Sequence, residues 1–386
     1  MPGMGAASAA PRAIVALERC GSYEPGVVLA SVKRAVDALG GIGSFVRAGQ
    51  KVLLKPNLLW AAEPSRAVNT HPAIVEAVIR LVKQAEGLPR IGDSPGLASA
   101  AHVAQKAGIA EVADQHNVPL VPFDEPVTVP PADGQLFRQI EIARAVVEAD
   151  VLISLPKVKT HGQMLLTLAV KNLFGCVVGR RKADWHLRAG RDHELFARLL
   201  VEVCRASRPA IHIADAVVAM EGNGPSGGEP VELGFIAASA DPVALDSVVG
   251  WILGVEPQQL LTTRIGAQTG LGVADLGRIE VRGADPGSLK PPSFRLPPIQ
   301  SMAVAGPEWL WRLLGNRLRP RPAVLRARCE LCEVCVEACP ADVMRRVDER
   351  IEIDYARCIS CFCCQEMCPH KAIQIERSWT SRMLFR

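Results

Sequence analysis

Aromatic side chains make up only 4% of the 386 residues: nine Phe, six Trp and two Tyr. Packing therefore falls to Ala, Val, Leu and Ile, and 49% hydrophobic residues can bury a sizeable core. No uninterrupted apolar run approaches the ~18 residues that a membrane helix needs. Residues 1–12 are small and Ala-rich, without a basic stretch leading into an apolar one, and read as a loose tail and not a secretory signal. The net charge of +4 is too weak to argue for nucleic acid. No phosphate-binding loop of the form G-x-x-x-x-G-K-[ST] occurs anywhere. Gly222, Gly224 and Gly227 share the letters of a dinucleotide fingerprint, but Pro225 interrupts them and an expected strand follows where a helix should. A reducing cytoplasm is the expected compartment.

What the chain has is alternation. Strands are expected at 13–18, 51–54, 118–123, 151–155, 210–213, 235–238 and 278–281, with a short β excursion over 127–142. Helices are expected at 27–39, 72–85, 99–107, 165–173, 195–206, 242–253 and 258–267, on apolar periodicity and on Pro72 and Gly87 as start and stop signals. Strands alternating with helices imply an α/β domain with a mainly parallel sheet, placed at 13–282. Residues 176–193, polar and Arg-rich, read as a mobile loop, with His186 and His193 on its surface. Residues 283–324 read as a Pro-rich linker with a basic helical segment at 309–318, expected to dock one domain on another. Residues 379–386 read as a tail.

The cysteines near the carboxyl terminus are the most specific signal. Cys329, Cys332, Cys335 and Cys339 precede Pro340, and Cys358, Cys361, Cys364 and Cys368 precede Pro369. Each cysteine of the second run lies 29 positions after its counterpart, an internal duplication. C-x2-C-x2-C-x3-C-P is the spacing that holds cubane clusters in two-cluster bacterial ferredoxins. Two-residue gaps let a tight turn aim three thiolates at one cubane, and the fourth cysteine leads away to ligate the other. One set is thus Cys329, Cys332, Cys335 and Cys368; the other is Cys358, Cys361, Cys364 and Cys339. Zinc ribbons normally show paired C-x2-C without the third cysteine and the trailing C-P. Residues 325–378 therefore resemble a small α+β ferredoxin-like domain with two [4Fe-4S] clusters. Cys363 is an extra thiol inside the second run, expected to be a small buried residue beside the cluster.

Polar residues collect just after expected strands, where parallel α/β sheets form their ligand crevice. Lys157, Lys159, His161 and Asp93 are the candidate catalytic residues, with His161 foremost for proton transfer because its free pKa lies near neutrality. Lys55, Asn57, His71, Lys171, Asn172, Asp215 and Glu221 are the candidate substrate-binding residues. Lysines on such a rim suit a carboxylate or phosphate. Each also has a plainer reading: Lys55 and Lys171 as solvated surface lysines, Asp93 as a helix cap, His71 as the first residue of a helix.

Lys55-Pro56-Asn57, Thr70-His71-Pro72, Gly92-Asp93-Ser94-Pro95-Gly96, Leu155-Pro156-Lys157-Val158-Lys159-Thr160-His161, Lys171-Asn172 and Gly175 together resemble the domain-of-unknown-function 362 family, over about residues 13–282. The resemblance implies an α/β domain that often carries a ferredoxin module, and it names no reaction. The expectation is an iron–sulfur oxidoreductase passing electrons through two [4Fe-4S] clusters to a site for a small anionic substrate, served by an external electron donor or acceptor. The alternative is a non-catalytic electron-transfer or assembly protein that docks a partner through its basic rim.

Overall fold

The structure is a computed structural model that describes residues 13–130, 136–137, 139–179, 181–297 and 320–376. The two tails, most of the linker and the basic segment at 309–318 lie outside them.

The chain runs β1 (Ala13–Arg19), α1 (Pro25–Asp37), β2 (Lys51–Pro56), α2 (Pro72–Gln84), β3 (Leu88–Ile91), α3 (Ala100–Lys106) and α4 (Ile109–Gln115). A hairpin of β4 (Pro126–Val129) and β5 (Ile140–Ala143) follows, then α5 (Arg144–Val147), β6 (Val151–Leu155), β7 (Lys157–His161), β8 (Leu165–Thr167) and α6 (Ala169–Asn172). The large domain closes with α7 (Arg181–Ala189), α8 (His193–Ser207), β9 (Ile211–Glu221), β10 (Glu229–Ser239), α9 (Pro242–Ile252), α10 (Leu261–Gln268) and β11 (Ile279–Gly283). Its sheet has the order β11-β1-β10-β9-β6-β2-β3, with β7 and β8 branching from β9. The β1–β11, β2–β3, β2–β6, β6–β9 and β7–β9 pairings are parallel, so the sheet is mainly parallel, as expected.

Successive strand residues face opposite sides of a sheet. Val52, Leu54 and Ile153 pack under α1 to α4 on one face, while Leu53 and Leu152 pack under α8 on the other. Both faces are covered, which is why β6 is apolar except for Ser154 and buried throughout. In α2, Ile74, Val78 and Ile79 are fully buried, and each such side chain contributes roughly 1.5–3 kcal/mol.

Four expectations fail locally. Residues 118–123 form no strand and make a single bridge, Ile91 to Leu120, because Pro119 and Pro122 remove ladder donors. The motif at 157–161 is not a loop but strand β7, with Lys157 and Lys159 each only 1% exposed. Residues 165–173 are not one helix: Leu165 takes a left-handed φ of 66° and opens β8, and α6 starts only where Asp246 accepts the Ala169 and Val170 N–H groups. Residues 181–189, expected within a mobile loop, are the helix α7.

The carboxyl-terminal module pairs β12 (Arg321–Val324) with β15 (Ile373–Glu376) and β13 (Met344–Val347) with β14 (Arg350–Ile353). Short helices α11 (Val334–Glu337) and α12 (Cys363–Glu366) lie between them. Since β12 belongs to this sheet, the module begins at Arg321, inside the stretch read as linker. No helix among the described residues is long and apolar enough to cross a membrane.

Candidate functional site

The carboxyl ends of β2, β3 and β6 meet in a knot of buried charge. Lys55 Nζ stands 2.8 Å from Asp93 Oδ1, with the two side chains 0% and 2% exposed. Asp93 also accepts the Leu58 N–H at 2.7 Å and the Ser94 N–H at 2.9 Å, so it organises two loops at once. Asn172 accepts from Asn57 at 3.1 Å and donates to Ser154 at 3.0 Å. Gly175 is required here, because a Cβ at that position would collide with both Asp93 and Lys55.

A second knot lies to one side. Lys157 Nζ is 2.8 Å from both Asp215 Oδ2 and the Tyr23 hydroxyl, and Tyr23 donates to Asp215 at 2.7 Å. The Tyr23 ring stacks on His71 at 3.5 Å, and His71 caps α2 by accepting the Ala73 N–H. These groups satisfy one another and tie the segment between β1 and α1 to β7 and β9. Glu221 pairs with Arg295, another structural contact.

Between the rim and the module lies a cavity of about 280 Å³. From the sequence-predicted set its wall takes Asn57, Asp93, Lys159, His161, Lys171 and Asn172; Lys55, His71, Lys157, Asp215 and Glu221 do not line it. Lys159 donates to the Val68 carbonyl at 2.6 Å, and burial pushes its pKa down to about 7. Lys171 lies 5.1 Å from the Phe174 ring centroid and has no hydrogen-bond partner among the described residues.

His161, foremost in the sequence for proton transfer, is enclosed between the rim and the module. Its Nδ1 accepts the Gln163 and Met164 N–H groups at 3.1 Å, so the proton sits on Nε2. That nitrogen stands 2.7 Å from Glu366 Oε1 of the module. Burial lowers the His161 pKa and keeps the ring neutral. Burial alone would raise Glu366, but His161 and Lys171 outweigh it and hold the carboxyl down to about 2. The close polar contact fastens the module to the rim without a well-aligned hydrogen bond.

Helix α7 contributes two groups that the sequence reading left out. Lys182 reaches the cavity and donates to Ser94 Oγ at 2.9 Å. His186, read as a surface residue, is buried beneath the cavity, stacked on Phe196 at 4.2 Å, and held neutral by burial with a pKa of about 3. The signal was available in the i, i+4 spacing of Lys182 and His186, which shares one helix face.

The module closes the cavity from the far side with Cys339, Cys363, Glu366 and Met367. Gln365 donates to the Asn223 and Gly224 carbonyls, Asn223 donates to Ile373, and Arg191 donates to Cys358 and Ala356. The glycine-rich turn after β9 is thus a docking surface, and Gly162 leaves room there for Ile375 and Phe362.

Within the module, one small cavity is lined by Cys329, Cys332, Cys335 and Cys368, and another by Cys339, Cys358, Cys361 and Cys364. The fourth cysteine of each run therefore faces the first three of the other. Left-handed φ values at Leu331 and Glu333 (53° and 61°) recur at Ser360 and Phe362 (54° and 61°), so the duplication extends to the backbone turns that aim the thiols inward. Four thiols around one space fit a cubane, which takes one thiolate at each iron. Cys363 belongs to neither set and faces the large cavity.

Residues 52–250 match the family described as a domain of unknown function, DUF362, and residues 322–369 match a 4Fe-4S dicluster domain. A thylakoid-associated protein of Synechocystis sp. is 43% identical over 259 residues, which cover 67% of this chain and 79% of that protein. Among solved structures, the lactate racemase apoprotein from Thermoanaerobacterium thermosaccharolyticum is similar at 12% identity and a TM-score of 0.40, over 64% of this chain and 58% of that one. A Thermotoga maritima protein is similar at 12% identity and a TM-score of 0.36, over 58% of this chain and 57% of that one. The chain thus spans less than two thirds of either structure.

Proposed function

This chain belongs to the domain-of-unknown-function 362 family and carries a 4Fe-4S ferredoxin-type domain, and from that premise we propose that it is an iron–sulfur oxidoreductase acting on a small anionic ligand held between its two parts. One observation carries the reading. The cavity has lysines from the α/β domain on one side and, on the other, Cys339 of the thiol set that includes Cys358, Cys361 and Cys364.

Two [4Fe-4S] clusters, one in each thiol set, would supply single electrons when bound. Cys339 puts its set beside the cavity, and exposed Cys332 puts the other set toward solvent, where an external donor can reach it. The roles of the remaining residues follow from their contacts. Lys159, with a pKa near neutrality, holds a proton that it can give to a reduced ligand at physiological pH. Asp93, joined to Lys55, shapes the wall. His161 and Glu366 hold the module against the rim. Lys157 and Asp215, sealed with Tyr23, position β7 and with it Lys159.

The test uses anaerobic protein reduced with dithionite and then freed of it. The pool of small metabolites from a cell extract is added while the visible cluster band is followed, and consumed compounds are identified by mass spectrometry. Turnover of an anionic compound by the native chain, lost in Lys159→Met with its cluster band intact, is expected. If no compound reoxidises the protein faster than buffer does, the reading is wrong.

A further inference from the structure

The cavity is unbalanced in charge and in hydrogen bonding. Lys159, Lys171 and Lys182 reach it from β7, α6 and α7. None of the three has a carboxylate within ion-pair distance among the described residues, since Lys159 and Lys182 donate to a carbonyl and a hydroxyl and Lys171 donates to nothing. Asp93 is neutralised by Lys55, and Asp184 and Glu337 are exposed. Glu366, beside neutral His161, is the one buried carboxylate among the described residues left to offset the three lysines, so positive charge remains in excess. Three ammonium groups around one space repel one another and gain by sharing counter-charge. Burial lowers the pKa of Lys159 and of Lys182; Glu366 opposes it at Lys159 and Asp93 at Lys182, and neighbouring ammonium groups add to it at both.

Several buried polar atoms are orphaned at the same place. Thr167 Oγ1 and His186 Nδ1 have no hydrogen-bond partner, and their residues are 4% and 5% exposed. Both line the cavity. A buried polar atom without a partner costs about 1–3 kcal/mol, so these positions favour a ligand with oxygens in reach. A volume of about 280 Å³ suits a molecule of a few carbon atoms with its charged ends and excludes a dinucleotide.

We infer that the occupant is a small dianion, a short dicarboxylate or a phosphate monoester, whose two charges are shared by Lys159, Lys171 and Lys182 and whose oxygens are oriented by Thr167 and His186. The inference names the substrate class of the site proposed above, but its charge argument stands on the cavity alone and needs no electron donor.

The experiment is calorimetric titration of the full anaerobic chain, oxidised, at constant ionic strength, with succinate, inorganic phosphate and acetate. At least one dianion should bind about tenfold or more tightly than acetate, and Lys171→Met and Lys182→Met should each weaken it by about tenfold. Lys171→Arg and Lys182→Arg, which keep the charge, should restore most of the affinity and show that the Met variants are folded at the site. Stronger binding of succinate assigns a dicarboxylate, and of phosphate an ester. Acetate binding as tightly as both dianions, no binding of either, or an affinity unmoved by both Met substitutions would overturn the inference. Reoxidation of reduced protein plays no part in the titration, so failure here leaves electron delivery standing, and failure there leaves the dianion standing.

Discussion

Replacing Asp93 by Asn leaves Lys55 charged, fully buried and without its carboxylate. The pair is 2.8 Å apart with exposures of 0% and 2%, so water cannot take over from the lost partner. Breaking such a pair from one side costs about 3–5 kcal/mol, because an uncompensated charge remains in a low dielectric. The amide keeps one acceptor, so one of the Leu58 and Ser94 N–H groups loses its bond, a loss of about 1–3 kcal/mol that comes on top of the broken pair and that the double variant below shares. At roughly 2–4 °C per kcal/mol, the broken pair alone should make the α/β domain melt about 6–20 °C lower. Differential scanning calorimetry of the anaerobic chain measures this. The control is Lys55→Met combined with Asp93→Asn, which removes the orphaned charge and should recover more than half of the loss. Gly175→Ala should resemble Asp93→Asn, since its Cβ would force the same pair apart. A shift below about 2 °C for Asp93→Asn, or a double variant whose loss is the sum of the singles, would refute the argument.

Three other outcomes are expected. Iron and sulfide analysis should give about eight of each per chain, and electron paramagnetic resonance should show Cys339→Ala and Cys368→Ala losing different clusters, each the one ligated by the other run; equal loss of each run's own cluster would contradict the crossed thiol sets. Burial holds His186 and His212 at about 3 against the ordinary 6.5, so the unfolded chain binds more protons than the folded one as pH falls below 6.5, and stability should drop with each histidine contributing up to roughly 1.4 kcal/mol per unit. His212→Leu, removing a ring with two unpartnered nitrogens, should flatten that slope in urea melts taken between pH 6.5 and 4.5. Finally, Arg191→Ala with Gln365→Ala removes the hydrogen bonds to Cys358, Ala356, Asn223 and Gly224, and limited proteolysis should then cut between the two parts faster while the cluster band persists; unchanged cleavage would mean that the docking rests on other contacts.

The grouping of the thiols was legible because turn geometry ties them to a fixed spacing, and the three-residue gap implied that the fourth cysteine of each run would lie with the first three of the other. The parallel sheet and α2 were legible from apolar periodicity. Strand β7 was hidden because Lys157 and Lys159 look like surface residues until Asp215 and the Val68 carbonyl are brought to them from distant parts of the chain. Helix α7 was hidden by its polarity, although its inward face carries Lys182 and His186. The role of His161 depends on two backbone N–H groups and on Glu366, some two hundred residues further along. Residue type alone suggested proton transfer; the contact with Glu366 could not be read from the sequence. Nothing in the sequence order announced that the module would form a wall of the cavity.

The crossed thiol sets bear on how the protein matures. Neither half of the cysteine duplication can complete its own ligand set, so the two halves must assemble together, and ligands that converge only on a metal centre couple its loading to folding. The same module supplies Cys339, Cys363, Glu366 and Met367 to the cavity. If loading with iron and sulfide completes the module, it completes this wall of the cavity as well, and cofactor delivery and the closing of the cavity would be one event.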